Sequence, residues 1–199
     1  MIAIPLRFGL LAVAALAAAT ILPAHAADPR NLVPQGGAQA ALELSLNALE
    51  AGGSRAVDEY EKLGVGSKVR LCFKATETGY VSLWSLDATG NVTRILPNKY
   101  TTSRDRGSDG IKVDAAIRHC IAESGLVAEG ATGQTTERWW LEVGRPLGRA
   151  DLYLHWTPTL EKQLPADSFV DIDSLSRAVG KSGTENFAAM WFSYEVTDR

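Results

Sequence analysis

The residues able to act as acid, base or nucleophile are few in this sequence and widely spaced. Hydrolysis by a side-chain nucleophile needs a base beside it and an acid that orients the base. Beyond the N-terminal segment the candidate bases are His119 and His155. His155 shares a strand face with Tyr153, which favours a histidine on a sheet surface over a catalytic base. Nucleophile elbows, paired metalloprotease histidines and phosphate loops are missing from the sequence, so we predict no enzyme and no cofactor.

Two pairs of carboxylates are the candidates for a metal site. Asp171 and Asp173 open a short amphipathic run, and Asp105 and Asp109 flank a Gly-Ser turn. Calcium takes six to eight oxygen ligands, and no such set is recognisable around either pair. We therefore predict helix-capping or turn roles and no metal. The polar run 99–110 has nearly balanced charges, which favours a solvated loop over a phosphate site.

The only two cysteines, Cys72 and Cys120, are predicted to form a disulfide. Two unpaired buried thiols are the alternative, and a zinc site is disfavoured because so few histidines are present to complete it. Cys72 alternates with Leu71 and Phe73 on a predicted strand and points the other way. We therefore expect its partner segment, 117–122, to cover the opposite face of that sheet.

Tryptophans are the third group that could bind a ligand. Trp139 and Trp140 are adjacent, so on a strand their rings point to opposite sides and one could face solvent. Exposed aromatic rings stack on sugars or on protein partners. Burial of both rings under another layer is the favoured alternative, and these two residues stay candidate binding aromatics.

The first 26 residues have the pattern of a secretory signal peptide. Arg7 precedes an apolar run over residues 8–22, and Ala24-His25-Ala26 follows as a cleavage site. A membrane anchor is disfavoured because the run is shorter than the roughly 20 residues that a span needs. We expect a periplasmic or secreted mature protein without a membrane span, a compartment in which disulfides persist.

Composition indicates one globular domain after this segment. Of 199 residues, 46% are hydrophobic and 22% charged, which excludes a disordered chain. The net charge of −3 disfavours nucleic-acid binding, since such binding relies on a basic face. Residues 27–40 are predicted to be an extended tail and residues 41–199 a single β-rich domain.

The periodicity is mainly that of strands. Leu42, Leu44 and Leu46 fit a strand, although Leu42, Leu46 and Leu49 also fit a helix. Further strands are predicted over residues 69–73, 80–86, 92–96, 111–115, 139–143, 152–156 and 187–196. Short helices are predicted over residues 54–63 and 171–179, and a glycine-rich connection over 125–133. Frequent strands without long helices predict a mostly β fold, a single sandwich or barrel-like domain.

Three segments resemble a bacterial family known as domain of unknown function 4384. Residues 79–98 contain its Gly-Tyr strand, acidic-glycine turn and closing Pro-Asn, residues 66–73 its entry strand, and residues 145–148 its later turn. The resemblance covers about 42–157 and leaves 158–199 as a C-terminal extension. It implies a small, mostly β accessory domain of secreted or envelope proteins, often joined to signalling, protease or secretion components, with no catalytic residues.

The hallmark positions have a structural explanation. Gly79 and Gly90 are expected to supply backbone geometry, and Asn98 to bond its following backbone and fix the turn. The remaining hallmark residues are Tyr80, Trp84 and Pro97. We expect an exported, non-enzymatic binding module of the bacterial envelope whose partner is another protein. The alternatives are a carbohydrate or envelope-polymer binder that uses exposed aromatics and, less favoured, a small hydrolase.

Overall fold

Two β-sheets make up most of the structure. A computed structural model of the chain describes residues 40–98, 109–122, 125–128, 141–164, 171–181 and 187–198. Within these ranges the chain is mostly strand, with one α-helix and no closed barrel. The prediction of a mostly β, sandwich-like domain is confirmed.

The first sheet, called sheet I, has six strands in the order β2-β1-β4-β8-β9, with β10 also paired to β4. Its strands are β1 (Leu42–Glu50), β2 (Gly53–Ala56), β4 (Lys68–Ala75), β8 (Arg118–Ala122), β9 (Gly125–Ala128) and β10 (Leu141–Glu142). All of these pairings are antiparallel. The ambiguous leucine run near residue 42 is therefore a strand, because β1 pairs with β4 along seven residues.

The second sheet, sheet II, has the order β3-β12-β11-β5-β6, with β7 also paired to β5. Its strands are β3 (Lys62–Gly64), β5 (Gly79–Leu86), β6 (Val92–Leu96), β7 (Ile111–Val113), β11 (Gly148–Thr157) and β12 (Ala188–Thr197). Among the described strands of this sheet, only the β12–β3 pairing is parallel. The strand β12, from the predicted C-terminal extension, pairs with β11 over nine residues.

The main core lies between the two sheets. Alternate residues of β1 and β4 point inward, among them Leu46 and Leu71, and they meet Leu83, Leu154 and other residues of sheet II in one apolar cluster. This follows from the period of two in a strand, which directs every second side chain to the same face. Burial of these side chains against each other provides the main stabilisation of the sandwich.

Sheet II is covered on its second face as well. A short 3₁₀ turn (Leu160–Lys162) follows β11, and helix α1 (Ile172–Lys181) follows after it. A second apolar cluster lies on this face: Trp84, Leu86, Tyr153, Leu164, Leu175 and Phe187. Strand β11 is therefore buried on both faces over residues 150–157, a pattern more typical of a central strand in a layered fold.

Two local predictions were wrong. Residues 54–63 form no helix: β2 and β3 occupy its ends, and the Val57 amide donates to the Leu46 carbonyl. The helical spacing of Val57 and Leu63 is outweighed by pairing with β1 and β12, which satisfies more backbone groups than an isolated short helix. Gly125 begins strand β9 instead of a connection, because β8 offers it a partner.

The β5–β6 hairpin has the turn predicted for residues 87–90. The Gly90 amide donates to the Asp87 carbonyl, and Gly90 has the positive φ of +85° that such a turn requires. The Asp87 carboxylate accepts hydrogen bonds from Thr89 and Asn91. Burial raises the pKa of Asp87, but these hydrogen bonds outweigh it and hold the pKa below its usual value.

Asn98 forms a hydrogen bond at the end of this hairpin. Its side-chain amide donates to the carbonyl of Ile95, at 2.8 Å. The predicted bond to the following backbone involves residues that lie outside the described part of the chain. The strand ends at Leu96, as the proline predicts.

Gly79→Ala is expected to lower the free energy of unfolding by about 1 to 3 kcal/mol, the usual cost of overpacking. A Cβ at this position would overlap the Trp156 indole nitrogen and lie 2.5 Å from the Thr157 carbonyl oxygen. Glycine at position 79 thus allows β5 and β11 to approach each other closely. Gly52→Ala is the matched control, since nothing lies within 4 Å of its added Cβ. Equal urea unfolding curves for both variants would contradict the packing described here.

Among the residues that the structure describes, no helix is long and apolar enough to cross a membrane.

Candidate functional site

A cavity of about 310 Å³ opens at one end of the sandwich. Its floor is aliphatic and comes from both sheets, with Leu46, Val69 and Leu71 of sheet I opposite Ala150 and Leu152 of sheet II. The hairpin β5–β6 forms one side of its mouth. The segment 141–146, which contains β10, forms the other side.

Small side chains at inward positions account for this space. Ser85 lies on the same face of β5 as Val81 and Leu83, and Ala150 lies on the same face of β11 as Leu152 and Leu154. Large side chains fill the rest of that layer, so a serine and an alanine at these positions leave a gap at its end. A concave space of this size with a largely apolar lining is the usual starting candidate for a binding site.

Hydroxyl groups and charges line the outer part of the cavity. Ser85, Thr93 and Tyr194 contribute hydroxyls to the lining, and burial raises the pKa of the Tyr194 phenol, with the Asp151 carboxylate adding to the effect. Tyr194 therefore stays protonated near neutral pH and keeps its O–H donor. An apolar floor with a few polar groups at the mouth is the usual composition of a binding pocket.

His155 lies in a second polar group, on the other face of sheet II. The prediction of a sheet-surface position was wrong, because the side chain is fully buried beside Phe187 and Tyr153. Its Nδ1 lies 3.3 Å from Gln163 Oε1, which also accepts from the Ser82 hydroxyl. In a catalytic triad an acid orients the base, whereas the group beside His155 Nδ1 is the neutral amide of Gln163.

The buried acid that the structure describes on that face, Asp151, belongs to another group. Asp151 accepts hydrogen bonds from Arg149 and from the Ser193 hydroxyl. Tyr153 lies between Asp151 and His155 along the strand, and it is fully buried. Among the residues that the structure describes, the acid, base and hydroxyl that hydrolysis would need are therefore not assembled around His155.

Acidification is expected to destabilise the protein through His155. Burial lowers the pKa of His155 to about 4, while the Gln163 hydrogen bond opposes this. The unfolded chain binds the proton near pH 6.5, so stability is full above that pH and falls as the pH drops toward 4, by about 3 kcal/mol. Urea unfolding of the protein and of His155→Asn measures this.

The acid-dependent loss should be much smaller in His155→Asn than in the unaltered protein. His119→Asn is the control, because burial also lowers the pKa of His119 but its ring is less enclosed. If His155→Asn and the unaltered protein lose the same unfolding free energy between pH 6.5 and 4, the buried neutral His155 is excluded as the cause of the acid-dependent loss.

The predicted disulfide between Cys72 and Cys120 is present. Its position differs from the prediction: the two cysteines are directly opposed on β4 and β8, neighbouring strands of sheet I, with Cα atoms 4.0 Å apart. The partner segment thus extends the sheet instead of covering its face. A cysteine pointing away from the core can reach a cross-strand neighbour as readily as another layer.

The remaining candidate residues have structural roles or lie outside the described part. The Asp171 carboxylate caps α1 by accepting from the Ser174 amide at 2.7 Å, which confirms the capping prediction. Asp105, Trp139 and Trp140 lie outside the described residues. Carbohydrate binding by those aromatics therefore stays a prediction. No group of three or more metal-ligating side chains occurs in the described part of the chain.

Two face-to-face sheets with an open-ended cavity define the class of protein, a β-sandwich domain with a pocket at its end. A family model described as a domain of unknown function (DUF4384) matches residues 62–159. The matched stretch runs from β3 to just beyond β11 and confirms the resemblance to this family. A comparison with curated proteins found no match.

The matched stretch contains much of the cavity wall. Ser85, Thr93, the segment 141–146 and Ala150 all lie within it, whereas Leu46, Tyr194 and Val196 come from β1 and β12 outside it. Sequence reasoning missed this cavity. The only signal was the occurrence of small residues at inward positions of long apolar strands.

Proposed function

We propose that this protein is an exported, non-enzymatic module that binds another protein, and that the cavity at the end of the sandwich receives an apolar side chain of that partner. The cavity is the observation that carries the proposal. Tight protein interfaces are commonly anchored by one large side chain that fills a well-packed pocket and is surrounded by a polar rim.

The size of the cavity supports an aromatic anchor. An apolar cavity of about 150 Å³ is enough to bind benzene. A volume of about 310 Å³ therefore leaves room for a two-ring side chain such as the indole of tryptophan. Ser85 and Tyr194 line the cavity, and their hydroxyls supply hydrogen-bonding groups for a polar atom on that ring system.

The protonation state of His155 favours binding over hydrolysis. Burial keeps His155 neutral to about pH 4, so it is a weak base, and its ring is held against Gln163 inside the protein. A catalytic base works best with a pKa near the working pH. His155 is therefore proposed as part of the buried support of sheet II.

Export is supported by the Cys72–Cys120 bond, since disulfides persist in oxidising compartments. Mass spectrometry of the protein isolated from outside the cytoplasm should show Ala27 as the first residue. An intact N-terminus on membrane-bound protein would overturn the proposed export.

The binding proposal is tested with N-acetyl-tryptophanamide as a model of the anchor side chain. We expect saturable NMR shift changes confined to residues around the cavity, with a dissociation constant in the millimolar range or below, as is usual for so small a ligand. Thr93→Trp at the exposed mouth and Ala150→Leu at the floor should each abolish these changes.

Folding of both variants is checked by thermal unfolding, and Thr93→Trp is the safer of the two because Thr93 is exposed. Glu43→Gln, on the outer face of sheet I, is the control and should bind like the unaltered protein. Shift changes that spread over the surface, or that persist in a folded Thr93→Trp variant, would overturn the proposal.

A further inference from the structure

Two hydroxyl groups of the cavity lining have no hydrogen-bond partner among the residues that the structure describes. They belong to Ser85 on β5 and Tyr194 on β12, both half-buried. Neither oxygen belongs to the enclosed polar atoms that lack a partner in this part of the chain, so both are accessible. A bound molecule can therefore supply the hydrogen bonds that the protein itself does not.

Tyr194 is the better placed of these two residues. Its ring packs against the main core, and in the β11–β12 register it lies opposite Ala150, whose side chain is only a methyl group. Both residues line the cavity. A phenol oxygen lies far from its own backbone, whereas a serine oxygen stays close to its strand, so the Tyr194 hydroxyl is better suited to contact a ring inside the cavity.

Tyr153, on the other face of sheet II, provides a contrast. Its hydroxyl also lacks a partner, but it is fully enclosed between the sheet and the layer above it. A ligand has no access to that group. Tyr194 combines an unpartnered hydroxyl with access, and burial raises its pKa, so the group keeps its proton and can both donate and accept a hydrogen bond.

We infer that Tyr194 determines the specificity of this cavity: its hydroxyl hydrogen-bonds a polar atom on the ring of the partner's side chain, so that the cavity selects indole or phenol rings over hydrocarbon rings. The inference rests on the proposed function and narrows the partner's anchor to tryptophan or tyrosine. A site with a polar group that only the right ligand satisfies discriminates against a ligand that lacks the matching group.

Indole and indene test this inference, because they have nearly the same shape and differ in the ring N–H. Binding of each to the full chain is followed by NMR shift changes at the cavity. Tyr194→Phe should lower the ratio of indole affinity to indene affinity by about two- to tenfold, the range expected for one net hydrogen bond. The loss should come from weaker indole binding, with indene binding unchanged.

Tyr80→Phe is the matched control, since Tyr80 lies on the other face of sheet II, outside the cavity lining. It makes the same chemical change and should leave the affinity ratio intact. A purely structural role of Tyr194 is excluded by urea unfolding: the midpoint of Tyr194→Phe should not fall, because the hydroxyl has no hydrogen bond to lose within the described structure.

The remaining outcomes separate this inference from the proposal beneath it. If neither indole nor indene binds at the cavity, the proposed function itself fails. If both bind and Tyr194→Phe leaves their affinity ratio unchanged, or if Ser85→Ala alone lowers it, the cavity still binds an aromatic ring and only the role of Tyr194 is overturned. A lower urea midpoint together with weaker binding of both ligands would also overturn that role.

Discussion

Trp84→Ala is expected to lower the free energy of unfolding by about 3 to 5 kcal/mol. The side chain of Trp84 is 1% exposed and lies in the layer between sheet II and α1, against Tyr153. Its removal would leave a large hole in a cluster that also contains Leu175 and Phe187. Urea denaturation with a single transition gives the required free energy.

Leu49→Ala is the control for the effect of losing a large apolar side chain. Leu49 is 42% exposed at the end of β1, so the loss should stay below about 1 kcal/mol. A loss of the same small size for Trp84→Ala would place the indole at the surface. The third layer on sheet II would then be wrong.

Loss of the Cys72–Cys120 bond is expected to cost about 4 kcal/mol, because it closes a long loop and restricts the unfolded chain. The cysteines are 48 positions apart in the sequence, and β4 and β8 pair at three positions, one of which is the cysteine pair itself. The unfolding free energies of oxidised protein and of the Cys72→Ala/Cys120→Ala double variant measure the cost.

Thiol titration of denatured, unreduced protein checks the bond itself and should find no free thiol. Ser45→Ala is a suitable control substitution, since Ser45 lies opposite Cys72 on the neighbouring strand β1 and leaves the loop closed. Two free thiols, or a double variant as stable as the oxidised protein, would remove this source of stability.

The parts of the fold that sequence predicted are those in which local chemistry decides the structure. Alternation identified β4, β5, β6 and β11, and the turn at 87–90 followed from its aspartate and glycine. The cap at Asp171 is equally local. In each case the residues that form the structure lie within a few positions of each other.

The parts that sequence missed depend on distant partners. Alternation shows that Cys72 and His155 each point away from the main core, but it does not show what lies on that side. For Cys72 it is a neighbouring strand, and for His155 it is the layer that includes Phe187. The short strands β2 and β3 likewise exist because β1 and β12 offer backbone partners.

The cavity is unpredictable for the same reason. It forms where inward positions of β5 and β11 with small side chains face β1 and β4, so its existence depends on how two sheets meet. Neither Ser85 nor Ala150 is unusual in its own strand. A sequence pattern within one element therefore has no means of indicating the space between two elements.

The central claim is that an aromatic side chain enters between the two sheets, and intermolecular NOEs measure this most directly. With methyl-labelled protein and unlabelled indole, we predict NOEs from the ring protons to the methyl groups of Leu46, Val69 and Leu71 at the cavity floor. NOEs only to surface methyls such as those of Leu49 and Leu147, or none at saturating indole, would contradict it.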